Sequence, residues 1–112
     1  MRIIPDKYWD ENKRRFDSHL FFDTVNHHHI SDYSKEEHCD LMIVECSDGR
    51  WYIEDNWGRD AQGAKDVFNP FDKQSYPTFF PTMKEAAVRA AEVVSSITGS
   101  SVEFVLGKLL VD

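Results

Sequence analysis

Six side chains in the first half of the chain have the chemistry of metal ligands. The imidazoles belong to the run His27-His28-His29 and to His38, and the thiols belong to Cys39 and Cys46. Zinc prefers about four such ligands in a tetrahedral arrangement. The spacing is poor, because consecutive histidines point in different directions and six residues separate the two cysteines. The sequence therefore predicts no metal or other cofactor, and the weak candidate ligands are His27, His28, His29, His38 and Cys39.

The same residue types could also build a thiol-dependent catalytic site from Cys46, a histidine and an aspartate. The predicted hairpin register places Cys46 on a core face beside Trp51, and a cysteine buried among apolar side chains is inert. No phosphate-binding glycine loop, Gly-x-Ser-x-Gly or His-Glu-x-x-His motif is present in the sequence. We therefore expect a protein that is not an enzyme. The alternative is a small metal-dependent or thiol enzyme that uses residues 27–29, His38 and Cys39 or Cys46.

Acidic side chains are concentrated in one segment of the chain. The whole sequence has 20 acidic and 13 basic side chains, for a formal net charge of −7. Residues 32–60 alone contain nine acidic and three basic side chains, which gives −6. This balance argues against direct nucleic-acid binding, since phosphates are neutralised by clustered Lys and Arg. A local negative field instead favours encounter with a basic protein surface.

The function expected from this pattern is that of a small acidic protein-binding domain, acting as a stoichiometric inhibitor of a basic, nucleic-acid-binding protein or nucleoprotein machine. Toxin-immunity proteins and phage anti-defence proteins of the anti-CRISPR type would act in this way. A simpler interpretation is that the charges keep an edge strand soluble and unpaired. Self-association of a structural protein through Phe79, Phe80 and residues 109–111 is a further alternative. The expected contact residues are Glu45, Asp48, Tyr52, Glu54, Asp55, Trp57 and Arg59.

Turn signals indicate how these side chains are positioned. Asp48-Gly49 predicts a two-residue hairpin turn between strands over 40–46 and 50–55. In that register Cys46 pairs with Trp51 and Glu45 pairs with Tyr52. One hairpin face would then face the core, with Met42, Val44, Cys46, Trp51 and Ile53. The other would be solvated, acidic and aromatic, with Leu41, Ile43, Glu45, Tyr52 and Glu54.

Periodicity predicts the remaining elements. An apolar stripe predicts a first helix over 6–20, whereas the pattern of residues 21–30 is ambiguous. Residues 56–78 are expected to form a long loop. A capping box at Thr82–Glu85 begins a helix over 83–98 that ends at Gly99, and alternation predicts a last strand over 102–106.

These elements predict one compact α+β domain over residues 1–112. Its order is helix, two hairpin strands, long loop, helix and strand (αββαβ), with the helices packed on a small antiparallel sheet. No apolar run reaches the roughly 20 residues that a membrane crossing needs, and the N-terminus lacks a secretory apolar stretch. We therefore expect a cytoplasmic protein without membrane contact and with reduced cysteines.

Overall fold

The computed structural model describes residues 4–55 and 64–109, and it has the expected α+β class. The first described element is a 3₁₀ turn at Asp6–Tyr8. The elements that follow are β1 (Trp9–Asp10), β2 (Arg15–Phe16), α1 (Ser18–Phe21), β3 (Thr24–Asp32), β4 (Cys39–Cys46), β5 (Trp51–Asp55), β6 (Val67–Phe68), α2 (Met83–Thr98) and α3 (Val102–Leu109).

The described strands form a four-stranded sheet in the order β3-β4-β5-β6 and a separate β1-β2 pair. β3, β4 and β5 are antiparallel, whereas β6 pairs parallel with β5. The expected antiparallel sheet is therefore mixed at one edge. β6 also shows that the predicted long loop over 56–78 contains a short strand.

The helix predicted over 6–20 is wrong. Asp10 accepts hydrogen bonds from the backbone N–H groups of Asn12 and Lys13, and Arg14 has a φ of 54°, which no α-helix contains. The chain turns back here, so that Trp9 pairs across β1-β2 with Phe16. The two rings meet edge to face at 4.9 Å between centroids. The aromatic spacing that suggested a helix stripe thus belongs to a tight hairpin.

The strand predicted over 102–106 is also wrong, because this segment is helix α3. Val105 is fully buried, while Val102 and Leu106 are partly buried and pack against the same core cluster. The Ser101 hydroxyl accepts a hydrogen bond from the N–H of Phe104, which is the bond an N-cap makes. Over five residues, alternation and helical spacing select overlapping apolar positions, and packing against α2 favours the helix.

The predicted hairpin forms, but its register differs by one residue. Cys46 N–H donates to the carbonyl oxygen of Arg50, and Gly49 N–H donates to Cys46 O, so the loop contains three residues, 47–49. Gly49 has a φ of 91°, as a three-residue loop with a bulge requires. Glu45 therefore pairs with Trp51 rather than with Tyr52. A shift of one residue moves the whole of β5 to the other face relative to β4.

Both faces of the sheet are covered. On one face, the alanines of α2 allow the helix to approach closely, and α2 and α3 cover Ile30, Leu41, Ile43 and Ile53. On the other face, the N-terminal segment and the loop before α2 contribute aromatic rings. Phe16, Phe22, Phe68 and Phe79 pack there with Met42, Val44, Cys46 and Tyr52.

Helix α2 begins and ends where its sequence signals place it. Thr82 caps α2 by accepting from Glu85 N–H, and Gly99 ends it with a φ of 86°. The helix predicted over 83–98 is therefore confirmed. No helix in residues 4–55 or 64–109 combines the length and apolar character needed to span a membrane.

Candidate interaction surface

The structure separates the residues expected to contact a partner. Asp48 is exposed in the hairpin loop and Glu45 is half-buried. Tyr52 and Glu54 are completely buried, and Asp55 is 3% exposed. Trp57 and Arg59 lie outside the described residues. The expectation of one solvated face is therefore wrong, because the register shift puts Glu45 on the helix side and Tyr52 and Glu54 on the opposite side.

Glu54 is held inside by groups from the N-terminal segment. The Ser18 hydroxyl, at the start of α1, donates to Glu54 Oε1 at 2.7 Å. Arg15 Nη2 lies 3.5 Å and His19 Nε2 lies 3.7 Å from Glu54 Oε2. Asp17 fixes this segment by capping α1 through the N–H of Leu20. A buried carboxylate needs such partners, since an uncompensated charge costs several kcal/mol.

Tyr52 lies beside Glu54 in the aromatic layer. Its ring contacts Phe22, Phe68 and Phe79 at centroid distances of 5.1–6.1 Å. Burial raises the pKa of Tyr52 far above its ordinary value, and the negative charge of Glu54 raises it further. The phenol is therefore a neutral core group rather than an interface residue.

Asp32 is a second internal carboxylate, at the end of β3. Its oxygens accept hydrogen bonds from the Ser100 hydroxyl and from the Ser34 hydroxyl and N–H, and Lys108 Nζ lies 3.6 Å away. These hydrogen bonds, that of Ser100 first, hold the pKa of Asp32 well below its usual range. Asp32 therefore ties the end of β3 to the connection between α2 and α3.

Much of the acidic segment therefore points inward. Within the described part of 32–60, the exposed or half-buried acidic residues are Glu36, Glu37, Glu45 and Asp48. Lys35 and Arg50 accompany them on the surface, which leaves a net charge of −2. The buried acidic residues of the same part are Asp32, Asp40, Glu54 and Asp55.

The exposed carboxylates at the hairpin loop adjoin two exposed apolar side chains. Leu20 is 67% exposed and Val25 is 61% exposed. Asp23, between them, accepts hydrogen bonds from the backbone N–H and the hydroxyl of Ser47, at 2.9 and 2.6 Å. The turn between α1 and β3 is thus joined to the hairpin loop. We call this the hairpin-end surface, made of Leu20, Asp23, Val25, Glu45 and Asp48.

The buried thiol of Cys46 lies within electrostatic reach of all three carboxylates of this surface. Burial raises the pKa of Cys46 to about 11, and the negative charges of Asp48, Asp23 and Glu45 all raise it, against Arg50. Asp48 also forms an ion pair with Arg50 at 2.8 Å, and the Arg50 guanidinium lies 3.8 Å from the centroid of Phe79. The described charges of the surface sum to −2 with Arg50 included.

The candidate metal ligands are dispersed. His27 and His29 lie on one side of β3, whereas His28 stacks on Trp51 on the helix side. His38 contacts Tyr33 in the β3-β4 connection. Among residues 4–55 and 64–109, no group of three or more His, Cys, Asp or Glu side chains could hold a metal ion.

Both cysteines are free and buried, and they lie at opposite ends of β4. Cys39 packs in the helix-side core, and Cys46 packs in the aromatic layer on the other face. The raised pKa of Cys46 disfavours the thiolate that a nucleophile needs.

Sequence patterns had not pointed to Leu20, Asp23 or Val25. Leu20 matched the apolar stripe of the predicted helix and was therefore expected in the core. Asp23 carries no motif, although its φ of 50° is a conformation that aspartate tolerates better than most residues. The exposure of Leu20 follows only once the N-terminal segment is seen to turn back.

The residues proposed for self-association also have internal partners. Phe79 packs in the aromatic layer, Phe80 bridges to Trp51, and Leu109, at the end of α3, is buried in the helix-side core. Leu110 and Val111 lie outside the described residues.

No family model, curated protein or solved structure matches the chain.

Proposed function

We propose that the chain is a non-enzymatic protein-binding domain whose hairpin-end surface docks on a basic surface of a partner protein. The observation that carries the proposal is the exposure of Leu20 and Val25 on the segment that Asp23 joins to the acidic hairpin loop. Apolar anchors surrounded by polar groups are the usual composition of a protein interface. The carboxylates would guide a Lys- or Arg-rich partner into place.

Local hydrogen bonds support this choice of surface. Ser47 bonds to Asp23 through both its backbone and its hydroxyl, and Thr24 pairs with Cys46 in the sheet. The apolar and acidic groups are therefore attached to one strand end and one hairpin loop. A surface that is ordered before binding loses less conformational entropy when a partner docks.

A stoichiometric inhibitor is the role that this chemistry suits. Carboxylates at the hairpin-end surface would occupy Lys and Arg side chains that otherwise hold phosphate. An immunity protein against a nuclease toxin and a phage antagonist of a host defence complex are the two settings in which such competition is useful. The partner is thus expected to be a nucleic-acid-binding protein.

The enzyme alternative has less support in the described residues. Its cysteines are buried at opposite ends of β4, and the raised pKa of Cys46 disfavours catalysis by this thiol. Among the described residues, its histidines and cysteines form no group of three or more side chains that could hold a metal ion.

The experiment compares matched variants in quantitative capture from the cells in which the protein acts. Leu20→Glu and Asp48→Lys alter the hairpin-end surface, whereas Phe104→Glu and Asp72→Lys replace an exposed apolar and an exposed acidic side chain elsewhere by the same residues. We expect the surface pair to weaken capture of one basic protein by at least about 10-fold, or roughly 1.4 kcal/mol. The control pair should leave capture unchanged.

Salt dependence provides a second measurement on the same partner. Capture should weaken as ionic strength rises, because the proposed contacts pair exposed charges. Equal capture by the wild-type chain and the Leu20→Glu, Asp48→Lys chain would contradict the proposed surface. An equal loss of capture by the Phe104→Glu, Asp72→Lys chain would also contradict it.

A further inference from the structure

The strand β3 carries a pair of imidazoles in a geometry suited to a metal ion. Alternation along the strand puts His27 and His29 on the same side, with ring centroids 6.0 Å apart. His27 is exposed, and the side chain of His29 is 51% exposed. Two histidines at this spacing on one strand face can approach a single ion with small rotations of their side chains.

Asp40 orients the imidazole ring of His29 for metal binding. His29 Nδ1 lies 3.1 Å from Asp40 Oδ1, on the neighbouring strand β4. Because an ionised carboxylate only accepts hydrogen bonds, Nδ1 carries the proton, which leaves the lone pair on Nε2. A carboxylate that orients a histidine in this way is the usual outer-shell arrangement of zinc sites.

One chain supplies only half of a zinc site in this region. His19 is the next imidazole, 6.3 Å from His27 between centroids. Its Nδ1 is bonded to the Thr24 hydroxyl at 3.0 Å, and its Nε2 faces Glu54 at 3.7 Å. Both of its nitrogens are therefore directed at protein groups. His27 and His29 provide two ligands, whereas zinc prefers four.

The position of β3 in the sheet shows where the other two ligands can come from. β3 is an edge strand, and β4 is its only strand partner among the described residues. Natural edges are commonly protected by proline, lysine or a β-bulge; Thr24–Asp32 contains no proline or lysine, and its irregularity, between Thr24 and Asn26, lies before the histidines. A second copy of the chain can therefore extend the sheet along this edge.

We infer that zinc joins two copies of the chain through antiparallel pairing of their β3 strands. When His28 lies directly opposite His28 of the partner subunit, His27 faces His29 of the partner subunit. By the same symmetry, His29 faces the partner's His27. Side chains directly opposite each other in such a pair have Cβ atoms about 5 Å apart. The four imidazoles then surround one point on the sheet face, within reach of Zn–N bonds of about 2.0–2.1 Å.

The test is sedimentation velocity of the chain without an affinity tag, with zinc chloride or with EDTA, followed by native mass spectrometry. We expect a monomer in EDTA and a dimer with one zinc ion per two chains. His27→Ala and His29→Ala should each abolish the zinc-dependent dimer. His38→Ala, which removes an exposed histidine off the strand, should retain it.

Three results would overturn the inference. The first is a chain that stays monomeric in zinc, whether or not it binds the ion. The second is a dimer that persists in EDTA, and the third is a zinc-dependent dimer that survives both strand substitutions. His27→Ala and His38→Ala replace exposed side chains and should fold like the wild-type chain. His29→Ala also removes the imidazole beside the buried Asp40, so His27→Ala is the decisive strand variant.

Discussion

The two ends of the β4-β5 hairpin use acidic side chains in opposite ways. Near the loop, Asp48 is exposed and Glu45 is half-buried, beside Asp23 on the adjoining turn. At the other end, Glu54 is buried under the N-terminal segment, and Asp55, which pairs with Leu41, is buried on the helix side of the sheet. Their sequence surroundings are equally acidic. What differs is which other segments of the chain pack over each end.

This contrast limits what can be learned from charge counted along a sequence. A net charge of −6 over 32–60 identifies a segment, but it does not distinguish a binding face from an internal network. Asp32, Asp40 and Glu54 each have a basic or histidine side chain within 3.7 Å, and those partners lie between 11 and 76 positions away. Only the folded chain shows which carboxylates have such partners.

The largest expected difference between the two ends is in stability. Glu54→Gln should lower the free energy of unfolding by about 3 kcal/mol, because it leaves Arg15 and His19 without their buried carboxylate. Glu45→Gln, the same substitution on the partner strand, should change it by no more than about 0.5 kcal/mol. Urea unfolding of the two variants measures both effects. Equal losses of unfolding free energy in Glu54→Gln and Glu45→Gln would contradict the distinction between the two ends of the hairpin.

The contribution of Asp32 to stability should be sensitive to acid. The pKa of Asp32 is lower in the folded chain than in the unfolded chain, where it is near 3.9. Asp32 therefore makes its full contribution to the free energy of unfolding at pH values above 3.9. The contribution is lost as pH falls further, towards the folded pKa. Asp32→Asn should therefore be less stable than wild type at neutral pH, and the two should converge below about pH 4. A difference that stays constant from pH 7 to pH 3 would argue against this network.

The smallest expected effect tests the carboxylates near the loop. Cys46 has a pKa of about 11, to which Asp48 contributes by its negative charge. In a Cys39→Ala background, Asp48→Lys should lower that pKa and so increase the rate of thiol labelling at pH 9. Asp72→Lys is the matched control and should leave the rate unchanged. Identical rates in all three chains would show that Asp48 does not act on the thiol.

Local signals were sufficient for the parts of the fold that depend on neighbours in sequence. The Thr82 cap, the Gly99 stop and the alanine-rich face determine α2, and Asp48-Gly49 determines that a hairpin forms. The register depends on one additional loop residue, which the dipeptide does not specify. That single residue decided which side of the sheet received Tyr52 and Glu54.

Elements whose form depends on distant packing were not predictable in the same way. The N-terminal segment turns at Arg14 and covers the sheet, which exposes Leu20 and buries Ser18. α3 is helical because it packs on α2, although its short apolar pattern also matched a strand. The hairpin-end surface brings residues 20–25 next to 45–48, and no pattern within either segment indicates the other.

Carboxyl footprinting of the native chain tests the division between internal and exposed acidic residues most directly. Carbodiimide coupling of an amine, read by mass spectrometry, reports the reactivity of each Asp and Glu. We predict rapid modification of Asp23 and Asp48, intermediate modification of Glu45, and protection of Asp32, Asp40, Glu54 and Asp55 until the chain is unfolded. Modification of Glu54 in the native chain as fast as that of Asp48 would contradict this account.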